Sequence, residues 1–152
     1  MRHAVAVGLL LSQLVVIGSA EAQQDSALTR ARAQRQQEVQ TALRQTLLEY
    51  LSKDLKTVMS HQEIFYSRNN RYAGELSVLL NMPVHEGTEL RIVGIHPAFQ
   101  GYAVEASNSG LSGLKCVGYV GAGGTPIPVT KFGNRPKQGG TVVCDSLDRT
   151  RE

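Results

Sequence analysis

Apolar residues recur along the first half of the chain at helical spacing. Val39, Leu43, Leu47, Leu51, Leu55, Val58 and Phe65 drift along one face, while Arg44, Glu49, Lys53 and Lys56 fall on the polar remainder. The pattern predicts one helix of about 30 residues or more, longer than the globular average. Its most sharply defined face is Leu55, Val58 or Met59, Gln62 and Phe65. The pattern stops at Ser67-Arg68-Asn69-Asn70-Arg71, which has nothing apolar to bury, and asparagine tolerates the left-handed conformation that ends helices. Tyr72 is the next candidate for burial, followed by a short patch of Leu76, Leu79 and Leu80.

Past residue 80 the period shortens to that of strands separated by turn residues. Residues 89–95, 101–106 and 115–120 read as strands, with Tyr102 and Val104 sharing a face, and residues 141–144 add a fourth after a glycine pair. The connections at 96–100 and 107–113 are short enough for hairpins, so the sheet is expected to be mostly antiparallel. A helix laid over its apolar side gives an α+β domain: one long helix on a small sheet of three to four strands.

The chain starts with Met1-Arg2-His3, continues through an apolar run over residues 4–18 broken only by Ser12 and Gln13, and reaches the small-residue site Ala20-Glu21-Ala22. These are the parts of a secretory signal peptide over residues 1–22. The run is shorter than the roughly 20 apolar residues of a spanning helix. About 130 residues would remain, one domain by length. Residues 23–38 are polar and basic, a helix extension free to fray; residues 39–145 form the domain, and residues 146–152 a disordered tail. Leu43, Leu47 and Leu51 step by four toward the extension. That half of the helix either pairs with a copy of itself or another helix, or stands solvated. A net charge of +3 is too small to argue for a nucleic-acid partner.

Leu55, Gln62, Glu63, Phe65, Tyr66, Asn69, Asn70, Tyr72 and Leu76 together resemble the globular half of type IV pilins and of the pseudopilins of type II secretion. In that family a long helix ends near a Gln-Glu and paired aromatics, then Asn and Tyr. Leu55, Phe65, Tyr72 and Leu76 would be the core of the motif, and the resemblance covers residues 43–145. It implies a non-enzymatic domain acting through protein or cell-envelope contacts. The N-terminus departs from the pattern, because pilins retain a long apolar half-helix after a leader cut behind a glycine. Here Gly8 precedes Leu9, but Gln13 stands where the family carries a glutamate, and apolar character ends by Glu21. The leading expectation is therefore an exported periplasmic or extracellular domain that meets a membrane only if the signal segment is retained. The alternatives are an inner-membrane minor pilin or pseudopilin and, third, a periplasmic enzyme of unknown type.

Cys116 and Cys144 are the only cysteines, and behind a signal peptide they are expected to form a structural disulfide. The proline- and glycine-rich segment between them reads as a surface excursion. The resemblance implies that such a cysteine-bounded loop makes subunit or receptor contacts. Lys131, Arg135 and Lys137 around Phe132 form its candidate interaction cluster, basic and without an acid close in sequence, suited to an anionic partner such as polysaccharide or lipid head groups. The glycines at 121, 123 and 124 are followed by Thr125-Pro126-Ile127-Pro128, which blocks the helix a phosphate loop needs. His61, His85 and His96 are scattered, without metal-ligand spacing. No Gly-x-Ser-x-Gly occurs. No catalytic residue, cofactor or metal is implied.

Overall fold

The computed structural model describes residues 14–79, 81–121 and 123–147, with side chains from residue 26 onward. The first half of the signal segment, Leu80 of the second apolar patch and the end of the tail lie outside the described residues. The elements run α1 (Leu14–Asn69), a short 3-10 helix (Leu76–Val78), β1 (Thr88–Ile95), β2 (Gly101–Asn108), a second 3-10 turn (Ser109–Leu111), β3 (Lys115–Gly121) and β4 (Val142–Cys144). Two compact units divide the chain at residues 40 and 41. In the first, every side chain described, residues 26–40, is exposed.

In the second unit, residues 41–69 of α1 pack on a four-stranded sheet of order β1-β2-β3-β4, antiparallel throughout. The α+β expectation is met, and the strands coincide with those read from the period to within two residues at each end. Leu51, Leu55 and Val58 are fully buried, and Leu48 and Met59 nearly so. They meet Tyr102, Val104, Ala106 and Cys116 from the sheet, with Leu111 and Leu114 closing one end. Each such side chain contributes roughly 1.5 to 3 kcal/mol through removal from water. Val39 and Leu43, apolar by sequence, stay exposed, so the buried stripe begins at Leu47 and Leu48.

Helix α1 ends as its asparagines suggest. Asn70 adopts φ +54°, its N–H bonds the Tyr66 carbonyl at 2.8 Å, and the Asn69 side-chain amide donates to the Phe65 carbonyl.

The sheet has a second face, also covered. Ala103 and Val117 alternate with the helix-facing residues of their strands, yet both are fully buried. The segment after β3 packs on this face beside Ala103. Pro126 packs so closely that a Cβ on Gly94 would lie 2.8 Å from it, beside Ala103. Thr125, Pro128, Thr130 and Pro136 are buried. Gly101 and Gly121 face each other across β2 and β3; a Cβ on Gly101 would overlap the Thr125 hydroxyl and come 2.7 Å from the Val120 carbonyl oxygen, and Gly121 holds φ +132°. The cysteine-bounded segment is thus only partly a surface excursion. Prolines cannot join the ladder, but their extended backbone presents apolar rings that shield a sheet face.

Candidate functional site

The turn after α1 is built by side chains that replace missing backbone bonds. Gln62, fully buried, donates from Nε2 to the Ala73 carbonyl at 3.0 Å and accepts the Ala73 N–H on Oε1 at 2.8 Å. One amide therefore satisfies both polar groups of a buried residue that belongs to no helix or strand. Tyr72 follows beneath it. Its ring lies 4.6 Å from Tyr66 and 4.9 Å from Tyr102, an aromatic ladder running from helix to sheet. The Tyr72 hydroxyl donates to Glu63 Oε1 at 3.0 Å, and that of Tyr66 to Gln100 Oε1 at 3.0 Å. Burial first, then the bond and negative charge of Glu63, push the Tyr72 hydroxyl up to about 12. Burial pushes Tyr102 up as well, with Glu63 adding in the same direction.

The motif core is thus brought together: Leu55 is buried, Tyr72 nearly so, and Phe65 and Leu76 pack half-buried at the edge of the same cluster. Tyr72 is also tied to the β1–β2 hairpin, since its N–H donates to the Phe99 carbonyl at 2.9 Å. Phe99 itself stands at φ +55°. A bulky side chain rarely adopts that conformation, which costs on the order of 1 to 3 kcal/mol.

Cys116 and Cys144 are bonded and occupy directly opposed positions of β3 and β4, with Cα atoms 4.0 Å apart. Lys131, Arg135 and Lys137 are exposed, whereas Phe132 is half-buried against the core and anchors the loop. An acid does lie beneath this cluster. Asp145, 3% exposed, accepts the N–H groups of Lys115, Lys131 and Phe132 at 3.0 to 3.1 Å. Its charge is held by backbone donors, while the Lys131 ammonium donates to the Ser112 carbonyl at 2.9 Å and sits 5.6 Å from the Phe132 ring.

A further buried acid escaped the sequence reading. Asp54 is 2% exposed; it binds the His85 ring at 2.6 Å and the His85 N–H at 3.2 Å, while the His85 ring stacks on Tyr50 at 4.1 Å. The cluster fastens the segment before β1 onto α1. Asp54 directly precedes the apolar Leu55 of the predicted buried face, the one local signal; its partner lies 31 residues away, beyond the reach of pattern. No group of three His, Cys, Asp or Glu side chains converges among the described residues.

Fold and site together define an α+β domain in which one long helix packs on a disulfide-bonded antiparallel sheet, an arrangement compatible with a pilin-like fold. No family model, curated protein or solved structure matches the chain. The disulfide points to a compartment other than the reducing cytosol. Among the described residues no helix is long and apolar enough to cross a membrane.

Proposed function

We propose that the chain is an exported, non-enzymatic pilin-like domain that works through protein or cell-envelope contacts. The observation that supports this best is the apolar stripe of α1 lying over a four-stranded sheet whose last two strands are joined by Cys116–Cys144, the layout the motif residues imply. The contact element is the loop over the second sheet face. Its prolines and Asp145 hold the backbone; Arg135 and Lys137 are exposed cations, and Lys131, also exposed, carries its ammonium on the Ser112 carbonyl. A loop fixed in this way binds an anionic surface with little ordering cost.

Two measurements test the reading. Expression of the full chain behind its own N-terminus, followed by sequencing of the mature end, is expected to return Gln23. A start at Leu9 would replace it with the membrane-inserted pilin alternative, and an intact Met1 would overturn export. On a dextran sulfate column, the Lys131→Ala/Arg135→Ala/Lys137→Ala variant is expected to elute at lower salt than the parent. Elution at the same salt removes the loop from the mechanism.

A further inference from the structure

The far end of α1 carries a surface distinct from the basic loop. Two shallow depressions of ≈ 240 and ≈ 250 Å³ share Phe65 and Val78 in their walls. The first is lined also by Ile64, Leu79 and Arg68, the second by Tyr72, Arg71 and Phe99. Ile64, Val78 and Phe99 are all exposed, an apolar grouping on a turn otherwise secured by hydrogen bonds. Phe99 is held there against its own backbone preference, at φ +55°. Gly74 makes room for it, since a Cβ at that position would stand 3.3 Å from the Phe99 ring, and the Arg71 guanidinium lies 5.9 Å from the ring centroid. The turn holds this conformation through the Phe99 N–H on the His96 carbonyl at 2.7 Å and the Phe99 carbonyl on the Tyr72 N–H, and it leaves the ring 38% exposed at the wall of the second hollow.

We infer that these adjoining hollows bind an extended acidic peptide segment through its apolar side chains. Each hollow is below the size of an ordinary small-molecule pocket, the two share Phe65 and Val78 as a common wall, and alternate residues of an extended segment point the same way, so one segment can present apolar side chains to both. Charge selects the flanks. Arg68, Arg71 and His61 edge the hollows; Glu75, the one carboxylate in their lining among the described residues, already accepts a bond from the Ser77 hydroxyl, and the nearby Glu63 carboxylate accepts that of Tyr72. Guanidinium groups beside an apolar floor pair with carboxylates adjacent to apolar anchors. The inference goes beyond the function proposed above, since it uses none of the loop cations.

The test is fluorescence anisotropy on the full chain with a labelled decapeptide carrying two leucines two residues apart among glutamates, and a matched peptide with lysines in place of the glutamates. Saturable binding of the acidic peptide alone is expected, weakened about tenfold or more by Arg68→Glu/Arg71→Glu and by Val78→Asp. Phe99→Asn, a residue at ease with positive φ, is expected to weaken binding while shifting the melting temperature by no more than about 3 °C. The triple loop variant should bind as the parent does, which separates failure here from failure of the loop reading. Equal binding of both peptides, no saturable binding of the acidic one, or indifference to the groove variants overturns the inference. So does a dimer in sedimentation, or adhesion to phosphatidylglycerol vesicles, that Val78→Asp abolishes while the acidic peptide does not bind.

Discussion

The two faces of the sheet are closed by different means. On one, residues 48–59 of α1 bury large aliphatic side chains against Tyr102, Val104 and Ala106, and the stabilisation is spread over area. On the other, an irregular segment packs over the strands beside Ala103, and its position depends on a few discrete fits: Pro126 on Gly94, Thr125 over Gly101 and Gly121, Asp145 under Lys131 and Phe132. A periodic element can lose one contact and keep its place. An irregular one depends on each anchor, because no ladder holds its backbone.

The largest effect is expected on the helix face. Leu55→Ala removes a fully buried side chain from the middle of the stripe and should lower unfolding free energy by about 3 to 5 kcal/mol, read from the urea midpoint. A cost under about 1 kcal/mol would mean that this face is not closed by packing. Removing the disulfide with Cys116→Ser/Cys144→Ser comes next. The bond joins positions 28 apart in sequence, and closing such a loop is worth roughly 3.5 kcal/mol through the unfolded chain. Because that loop packs on the second face, hydrogen exchange should rise at Lys131 and Phe132 more than in the middle of α1. Uniform acceleration would erase the distinction between the faces.

Asp145→Ala tests the second face by itself. It leaves three N–H groups, those of Lys115, Lys131 and Phe132, without their acceptor, a loss of about 2 to 3 kcal/mol. Asp145→Asn retains one acceptor oxygen and should recover part of this. If the alanine variant costs as little as a surface substitution, the anchor description of this face is wrong.

These contrasts also explain what was legible beforehand. The helix stripe, four strands and hairpins express short-range rules, period 3.6, period 2 and turn chemistry, so Leu51, Leu55, Val58 and Tyr102 fell where the pattern put them. The cysteine pair was legible for another reason, since two cysteines allow only one internal pairing. Val39 and Leu43 did not, because an apolar residue continues a stripe in sequence whether or not anything faces it. The second face was missed because prolines and glycines look alike in an exposed loop and in one packed on a sheet. Within the site, Gln62 and Tyr72 were legible from the end of the helix stripe and the apolar pattern beyond it. The Asp54–His85 pair and the Asp145 anchor were not, since each links residues 13 to 31 apart in sequence with no local signature. Phe99 gave no sign of its positive φ, which belongs to a turn closed by its own N–H on the His96 carbonyl and joined to the Tyr72 N–H 27 residues away in sequence.

A pH titration sharpens the helix face. Tyr72 titrates near 10 when unfolded and is pushed up to about 12 in the fold, so the protonated ring is favoured by folding. The unfolded chain releases its proton first as pH rises; stability is fully present below pH 10 and falls between about 10 and 12, by an amount on the order of 2 kcal/mol. Urea midpoints at pH 9 and 11 check the slope. Tyr72→Phe should flatten it only in part, because Tyr102 is shifted in the same direction.

The smallest effect belongs to the second face and concerns its charged margin. Lys115 reaches diagonally across the strands to Glu105 at 2.7 Å, and Arg91 approaches the same carboxylate at 3.9 Å. Both are cross-strand pairs, yet the Lys115 side chain is 28% exposed and Arg91 mostly so, which screens them. Lys115→Met keeps the stem over the sheet and removes the charge; about 0.5 to 1 kcal/mol should be lost at low salt and less in 0.5 M NaCl. The Asp145 anchor, by contrast, is buried and bonded to backbone, so the cost of Asp145→Ala should scarcely change with salt. If both variants showed equal salt dependence, the second face would be held by surface charge and not by buried anchors, and the contrast with the helix face would rest on the wrong interaction.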